Sequence, residues 1–291
     1  MPVFAGAEPV IDGTTVSFTL VPRTLNDSDI QVFNGVPAQS GDWRSIAISQ
    51  STGAGPTCTA TFVGNGVLLT AAHCVVLGNN RFASSIRIGP FKYRCAVDDA
   101  YLSTKEMPSV RHPADYALCL AEPYGDKVPD EFLHLVWDTL DLRAVAKDDV
   151  LMVAGYGCVS WAFNPSTGHI SEAAHEKILA VGDFKVNALQ VDTFSSESDG
   201  KTLSALCAGD SGGPAFSGVN AMKPGGARTI RGVASRRRID QSTVVSYFAS
   251  LSSARFTQFL ACWKKANPTA YVNVKPAVPN VQEASACVST L

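Results

Sequence analysis

Short apolar runs separated by turn-forming residues occupy most of this sequence. The clearest of them are Ser45 to Ile48, Val67 to Thr70, Val150 to Ala154, Leu189 to Phe194, Thr229 to Ala234 and Thr243 to Phe248. Runs of this length, bounded by Gly, Pro, Asn and Ser, are typical of β-strands. They form two β-rich halves on either side of about residue 140. The sequence therefore predicts an all-β fold of two stacked β-barrels.

One segment near the C-terminus has the spacing of a helix instead. Its apolar residues recur three or four positions apart, at Phe256, Phe259, Leu260 and Trp263. Ser252 or Ser253 can cap the start of this helix, and Asn267-Pro268 ends it. We expect an amphipathic helix whose apolar stripe packs against the barrels rather than forming a binding groove.

Composition limits the classes of partner. The chain has 291 residues, of which 46% are hydrophobic and 17% charged, so it can bury a large core and is not intrinsically disordered. Its net charge of -2 supplies no field that would hold nucleic acid or an anionic membrane. No apolar run approaches the ~20 residues that span a bilayer. We expect no nucleic-acid or membrane partner, and nothing requires more than a monomer.

The chain has eight cysteines, and none of them lies in a C-x-x-C spacing. An even number without zinc or redox spacing predicts four disulfides, and therefore a secreted or periplasmic protein. The segment Met1 to Ile11 has no basic start and no sustained apolar stretch. We therefore expect the secretion signal to be absent from the sequence as given, either removed or replaced.

Three polar side chains could act together in nucleophilic catalysis. Residues 207–214 read CAGDSGGP and place Ser211 among glycines that allow a tight turn and the close approach of a substrate. A serine hydroxyl needs a base, and His73 follows the apolar run that ends at Thr70. A third group must fix the histidine tautomer, and Asp115 leads into another apolar stretch.

The blocks GVLLTAAHC, HPADYALCL and CAGDSGGP, in this order, resemble the signature blocks of the chymotrypsin/trypsin family of serine endopeptidases. The resemblance covers about Val32 to Asn267 and implies two stacked antiparallel six-stranded β-barrels, divided near residue 140, with a C-terminal α-helix. The opening Cys58-Thr59-Ala60-Thr61 resembles bacterial members of the family more than animal digestive ones.

The resemblance also implies catalytic roles. Ser211 would be the nucleophile, His73 the general acid and base, and Asp115 its orienting partner. The backbone N–H groups of Gly209 and Ser211 would form the oxyanion hole. The expected activity is hydrolysis of peptide bonds through an acyl-enzyme, with a protein or peptide as substrate. No cofactor and no metal are expected, because the histidines show no zinc spacing.

A fourth block, Val32-Phe33-Asn34-Gly35, resembles the start of the mature family domain, where cleavage creates a new N-terminus. By the same resemblance, Asp210 would bind the amine released at Val32. Residues 1–31 are then a leader or activation segment, expected to be irregular, and the chain is a zymogen. Its activating protease would cut after Gln31, which is not the basic residue that a trypsin-like activator prefers.

The resemblance suggests a disulfide scheme. Cys58 with Cys74 matches the family bridge beside the catalytic histidine. For the other cysteines the sequence leaves the connectivity open, and we predict Cys95 with Cys119, Cys158 with Cys207, and Cys262 with Cys287. The last pair would fasten the tail, residues 268–291, to the final helix.

Five positions bear on substrate preference. Ala205 stands where a trypsin-like enzyme has its pocket-floor aspartate, so cleavage after Arg or Lys is not expected. Ser235 matches the position that holds the substrate main chain, but Arg236-Arg237 replaces the usual Trp-Gly after it. An approximate alignment puts Val245 on the opposite wall. We favour a small or apolar P1 residue; an acidic P1 residue, invited by Arg237, and a non-catalytic protease-like binding protein are the alternatives.

Overall fold

The computed structural model describes residues 10–19, 35–38, 43–50, 58–77, 81–88, 91–103, 114–122, 136–158, 161–164, 169–172, 179–199, 203–223, 225–240 and 243–275. Two residues with predicted roles, Val32 and Cys287, lie outside them. The amine partner of Asp210 and the fourth disulfide therefore stay predictions.

The first sheet is built from the N-terminal half of the chain. Its strands are β1 (Val10–Thr19), β3 (Ile46–Gln50), β4 (Thr59–Gly64), β5 (Val67–Thr70), β6 (Val76–Leu77), β7 (Arg81–Ile88), β8 (Phe91–Val97) and β9 (Ala117–Ala121). Antiparallel pairing runs in the order β3-β4-β5-β9-β8-β7. These strands form one barrel-like layer around a buried apolar interior.

Strand β1 belongs to the segment for which the sequence predicted irregular structure. It pairs antiparallel with β3, for example Phe18 with Ser49, and parallel with β7, for example Phe18 with Ile88. The prediction of an irregular arm is therefore wrong for residues 10–19. Those residues lie between β3 and β7 and occupy the hydrogen-bonding edge of each.

The second sheet is built from the C-terminal half and from one early strand. Its strands are β2 (Val36–Pro37), β10 (Thr139–Asp141), β11 (Val150–Gly155), β14 (Ala180–Leu189), β15 (Thr193–Ser198), β16 (Pro214–Ser217), β17 (Thr229–Asp240), β18 (Thr243–Ser250) and β19 (Val274–Lys275). The antiparallel order β16-β11-β14-β15-β18-β17 returns to β16 and closes a barrel. A separate hairpin joins β12 (Trp161–Asn164) and β13 (His169–Glu172).

Two helices are described. Helix α1 (Asp99–Ser103) is short, and helix α2 (Ala254–Ala266) is the predicted C-terminal helix. Ser253 caps α2 by accepting a hydrogen bond from the Phe256 N–H at 3.0 Å. The buried Phe256 ring packs edge-on against Tyr116, with ring centroids 4.9 Å apart. Helix α2 thus supports the segment that carries Asp115, and none of the described helices is long and apolar enough to cross a membrane.

The all-β prediction, with two barrel-like sheets and a C-terminal helix, is confirmed. One predicted strand is wrong: the run from Leu189 to Phe194 contains the end of β14 and the start of β15, and residues 190–192 form the turn between them. The Gln190 N–H donates to the Thr193 carbonyl at 2.8 Å and closes this hairpin. Val191 contributes to the apolar pattern of this run, but it lies at the tip of the turn and is 91% exposed.

Three predicted disulfides are present. Cys58 is bonded to Cys74, Cys95 to Cys119, and Cys158 to Cys207. Cys95 and Cys119 are directly opposite each other on β8 and β9, so their bridge joins neighbouring strands as predicted. The fourth predicted pair includes Cys287 and lies outside the described residues.

Candidate active site

His73 lies in a single 3-10 turn, Ala72–Cys74, that follows β5. The preceding residues Ala71 and Ala72 are fully buried, so the backbone before the histidine packs into the interior of the barrel. The Cys58–Cys74 bridge anchors the turn to the start of β4. The imidazole itself is 22% exposed and faces a surface pocket.

Asp115 is fully buried immediately before β9. One carboxylate oxygen accepts a hydrogen bond from the His73 backbone N–H at 3.0 Å, and the other contacts His73 Nδ1 at 2.8 Å. Burial opposes ionisation of Asp115. The charge and hydrogen bonds of His73, together with a bond from Ser235, outweigh it and hold the pKa of Asp115 well below its usual range. The buried group is therefore a carboxylate that holds His73 by two contacts, one to its backbone and one to its imidazole.

Ser211 sits in the turn that leads into β16. Two glycines beside it have positive φ values, +110° at Gly209 and +84° at Gly212, which a side chain would strain. A Cβ on Gly212 would lie 2.2 Å from the Thr59 carbonyl oxygen. The glycines of the motif thus let the second barrel bring its turn against β4 of the first.

His73 and Ser211 line the same pocket, which has a volume of about 540 Å³. The Ser211 Oγ donates to the Ser235 carbonyl oxygen at 3.5 Å, and within the described part of the chain its hydroxyl makes no hydrogen bond to His73. Catalytic hydrogen bonds are often long or misaligned before substrate binds, and a side-chain rotation is a small change. The structure therefore brings the two predicted residues to one cleft without joining them.

The backbone N–H groups of Gly209 and Ser211 lie in the turn that precedes β16. Among the described residues, none accepts a hydrogen bond from either N–H. Both donors are thus available to a ligand oxygen. The carbonyls on the same turn are used instead, since Ser211 O accepts from the Thr59 N–H at 2.7 Å.

Asp210 is fully buried behind this turn. Its carboxylate accepts hydrogen bonds from the Gly157 N–H and the Cys207 N–H, both at 2.8 Å. A Cβ on Gly155 or Gly157 would collide with it, so these glycines make its space. Burial raises the pKa of Asp210 to about 7, although the two backbone hydrogen bonds lower it. No cation among the described residues forms an ion pair with it.

The residues predicted to set specificity do not all meet in the pocket. Ser235 and Arg237 line it, together with Arg236 and Ile239. Ala205 is buried and is not part of this lining. Val245 pairs with Arg238, and it is Ser246 that lies opposite Arg237, so the alignment that placed Val245 on the facing wall is wrong by one residue.

One polar side chain at the site was missed by the sequence analysis. The Thr59 hydroxyl donates to the Gly209 carbonyl at 2.9 Å and accepts from the Tyr156 N–H at 3.2 Å. It therefore ties the turn of Ser211 to the segment that precedes Cys158. The only signal in the sequence is the position of Thr59 next to Cys58, and that gives no hint of a contact across 150 residues.

Comparison with protein families matches residues 32–251 to the Trypsin family. The chain belongs to the trypsin family. The match covers strands β2 to β18 and includes His73, Asp115 and Ser211. None of the curated proteins compared with the chain matches it.

Solved structures of other proteins resemble this trypsin-family chain at low identity. Mouse neuropsin, a serine protease expressed in the limbic system, is 17% identical over 72% of this chain and 88% of its own, with a TM-score of 0.47. A Glu endopeptidase is 15% identical over 88% of this chain and 99% of its own, with a TM-score of 0.49. Human heparin binding protein is 14% identical over 77% and 94%, also with a TM-score of 0.49.

Proposed function

We propose that this trypsin-family chain is a secreted serine endopeptidase, made as a zymogen, that cleaves peptide bonds through an acyl-enzyme on Ser211. The observation that carries the proposal is the buried Asp115 carboxylate, which contacts both the backbone and Nδ1 of His73. Burial of a charged group costs free energy, and buried carboxylates with specific partners are typical of functional sites. The partner of Asp115 is His73, which faces the pocket that Ser211 lines.

The chemistry follows from the tautomer that Asp115 selects. With Nδ1–H donated to the carboxylate, Nε2 is the basic nitrogen and can take the proton of Ser211 Oγ as that oxygen attacks the peptide carbonyl. The N–H groups of Gly209 and Ser211 stabilise the oxyanion of the tetrahedral intermediate. His73 then returns the proton to the leaving amine, and water releases the acyl group by the same steps in reverse.

The zymogen proposal is supported by the surroundings of Asp210. A fully buried carboxyl held by two backbone N–H groups would gain most from an ammonium group, such as the one released by a cut between Gln31 and Val32. Secretion is supported by the three disulfides, which persist in oxidising compartments.

In this proposal the enzyme does not cleave after Arg or Lys, because Ala205 offers no carboxylate to a cationic P1 side chain. A small or apolar P1 residue was favoured by the placement of Val245, which the strand register does not support. The acidic alternative gains from the presence of Arg236 and Arg237 in the pocket lining. The binding-protein alternative would gain support if Arg237 filled the cleft, and a volume of about 540 Å³ remains beside Arg237.

The test is cleavage-site profiling on a peptide library, before and after a cut between Gln31 and Val32. Because β1 is part of the first barrel, the leader is to be cut rather than deleted, by a site-specific protease whose recognition sequence replaces the residues before Val32. We expect cleavage to appear after the cut and to be lost in Ser211→Ala. A cut protein that hydrolyses no peptide would contradict the proposal.

A further inference from the structure

Three consecutive arginines, 236 to 238, follow Ser235 on β17. Two of them, Arg236 and Arg237, line the pocket that contains His73 and Ser211, whereas Arg238 does not. Among the described residues that line the pocket there is no carboxylate. The lining of the recess beside the nucleophile therefore includes two arginines from one strand.

The register of β17 and β18 separates the directions of these arginines. Residues directly opposite each other in an antiparallel pair point to the same face. Arg237 is opposite Ser246, whose hydroxyl accepts a hydrogen bond from the Leu206 N–H at 2.9 Å. The face of Arg237 is thus the one turned toward residues 205–207, which lead into the turn of Ser211.

Arg238 lies on the other face, opposite Val245. It forms an exposed ion pair with Asp240 at 2.6 Å, outside the pocket. This arginine has the same chemistry and the same strand as Arg237 but a different direction. It therefore offers a matched control for any effect that comes from the charge of the strand alone.

Arg236 is held by helix α1. Its guanidinium forms a hydrogen bond with the Tyr101 phenol. Burial and the charge of Asp115 raise the pKa of Tyr101, while Arg236 lowers it, so the phenol is the neutral partner of this contact. Arg236 thus contributes positive charge at the pocket wall while its side chain is fixed to the first half of the chain.

Arg237 is half-buried, and burial lowers the pKa of its guanidinium. An arginine in such a place still carries its charge, because its ordinary pKa lies far above neutrality. A substrate carboxylate that enters this recess would meet the Arg237 guanidinium in surroundings that screen charge weakly.

We propose that Arg237 is the specificity-determining residue of this site and binds the carboxylate of an acidic P1 side chain, glutamate or aspartate. The proposal rests on the proposed endopeptidase function and names its substrate class. The planar guanidinium can grip a carboxylate by two parallel N–H bonds, a geometry that an amide or an apolar side chain cannot use. Arg236 adds to the attraction from the wall of the pocket.

The test uses peptides that differ only at P1, with Glu, Gln, Leu or Lys at that position, and the protein cut after Gln31. Charge-assisted hydrogen bonds differ from neutral ones by enough to give at least about a tenfold preference in kcat/KM for Glu over Gln. Arg237→Ala is expected to remove this preference, with kcat/KM for the Glu peptide falling to that for the Gln peptide. Arg237→Glu is expected to favour Lys over Glu.

Arg238→Ala is the matched control and is expected to keep the preference for Glu. Wild-type protein that cleaves after Leu but shows no preference for Glu over Gln would overturn this inference and leave the proposed function standing. A preference for Glu that survives Arg237→Ala and is lost in Arg238→Ala or Arg236→Ala would overturn the assignment to Arg237. Failure to cleave any peptide, together with failure of a fluorophosphonate to label Ser211, would reject the proposed function itself.

Discussion

The hydroxyl of Ser235 donates a 2.5 Å hydrogen bond to the buried carboxylate of Asp115, on the same oxygen that contacts His73 Nδ1. The carbonyl of Ser235 also accepts from the Ser211 hydroxyl. One residue of β17 thus contacts the orienting acid through its side chain and the nucleophile through its backbone. A position that was expected only to hold the substrate main chain is therefore also part of the support for the histidine.

Removing that hydroxyl should destabilise the protein. Ser235→Ala leaves a fully buried carboxylate with one donor fewer, so the free energy of unfolding is expected to fall by roughly 1–3 kcal/mol. Denaturant unfolding monitored by tryptophan fluorescence measures the change. Ser103→Ala, at an exposed serine on α1, is the control and should lie within about 0.5 kcal/mol of wild type. Equal stabilities of the two variants would show that the Ser235 bond contributes nothing.

The Thr59 hydroxyl should matter for the rate of the chemical step. Thr59→Val keeps the shape of the side chain but removes the bonds to Gly209 and Tyr156, and so loosens the turn that presents the oxyanion donors. We expect kcat to fall by about tenfold with KM little changed, because those donors act on the transition state more than on bound substrate. Steady-state kinetics on the best peptide measures both constants.

Thr59→Ser restores a hydroxyl at the same position and should recover most of kcat. A merely structural role would lower stability in both variants without separating kcat from KM. A Thr59→Val protein with unchanged kcat would contradict a positioning role for this residue.

The uncut chain should lose stability as pH rises from about 4 to about 7. The folded-state pKa of Asp210, about 7, lies above the ordinary 3.8, so the folded protein holds this proton more tightly than the unfolded chain. The stabilisation by this proton is complete below the ordinary pKa of 3.8, and it is lost as pH rises through the folded-state pKa of about 7. Unfolding free energies measured across this range test the slope.

Two comparisons isolate Asp210 in that experiment. Asp210→Asn should remove this part of the slope, whatever its absolute stability. A cut between Gln31 and Val32 should also remove it if the new ammonium group pairs with Asp210, because the ion pair lowers the pKa of the carboxyl. A slope that is the same in the uncut protein, the cut protein and Asp210→Asn would contradict the proposed activation.

Strand β1 should be a structural part of the first barrel. At Phe18 the strand is paired with β3 on one side and with β7 on the other. The backbone N–H of Phe18 therefore points to a paired strand whichever side it faces. Phe18→Pro removes that donor and is expected to lower the free energy of unfolding by roughly 1–3 kcal/mol. The control is Gly13→Pro, at the point where pairing between β1 and β7 is interrupted. A larger loss for Gly13→Pro than for Phe18→Pro would contradict the observed register.

Much of the fold could be predicted from the sequence, because strand patterns and helix caps depend on residues that are close together in the chain. The run Val67 to Thr70 is a strand with the predicted bounds, and Ser253 caps the predicted helix. Three disulfide pairs agree with the scheme that the family resemblance suggested, although the sequence alone left their connectivity open.

The features that the sequence did not reveal depend on long-range register. An irregularity between Ala234 and Arg236 shifts β17 against β18 by one position, which puts Ser246 rather than Val245 opposite Arg237. No local pattern marks such a bulge, and its effect is to change which side chain faces the pocket. The pairing of β1 with β7 is hidden for the same reason, because it joins segments about 70 residues apart.

The most direct measurement of the central claim is the location of a fluorophosphonate adduct by peptide mass mapping of the protein cut after Gln31. We expect a single adduct on Ser211, and we expect its rate of formation to fall by at least about a hundredfold in His73→Ala, because the hydroxyl is a weak nucleophile without its base. An adduct on another residue, or labelling of Ser211 at an equal rate without His73, would contradict catalysis by these residues.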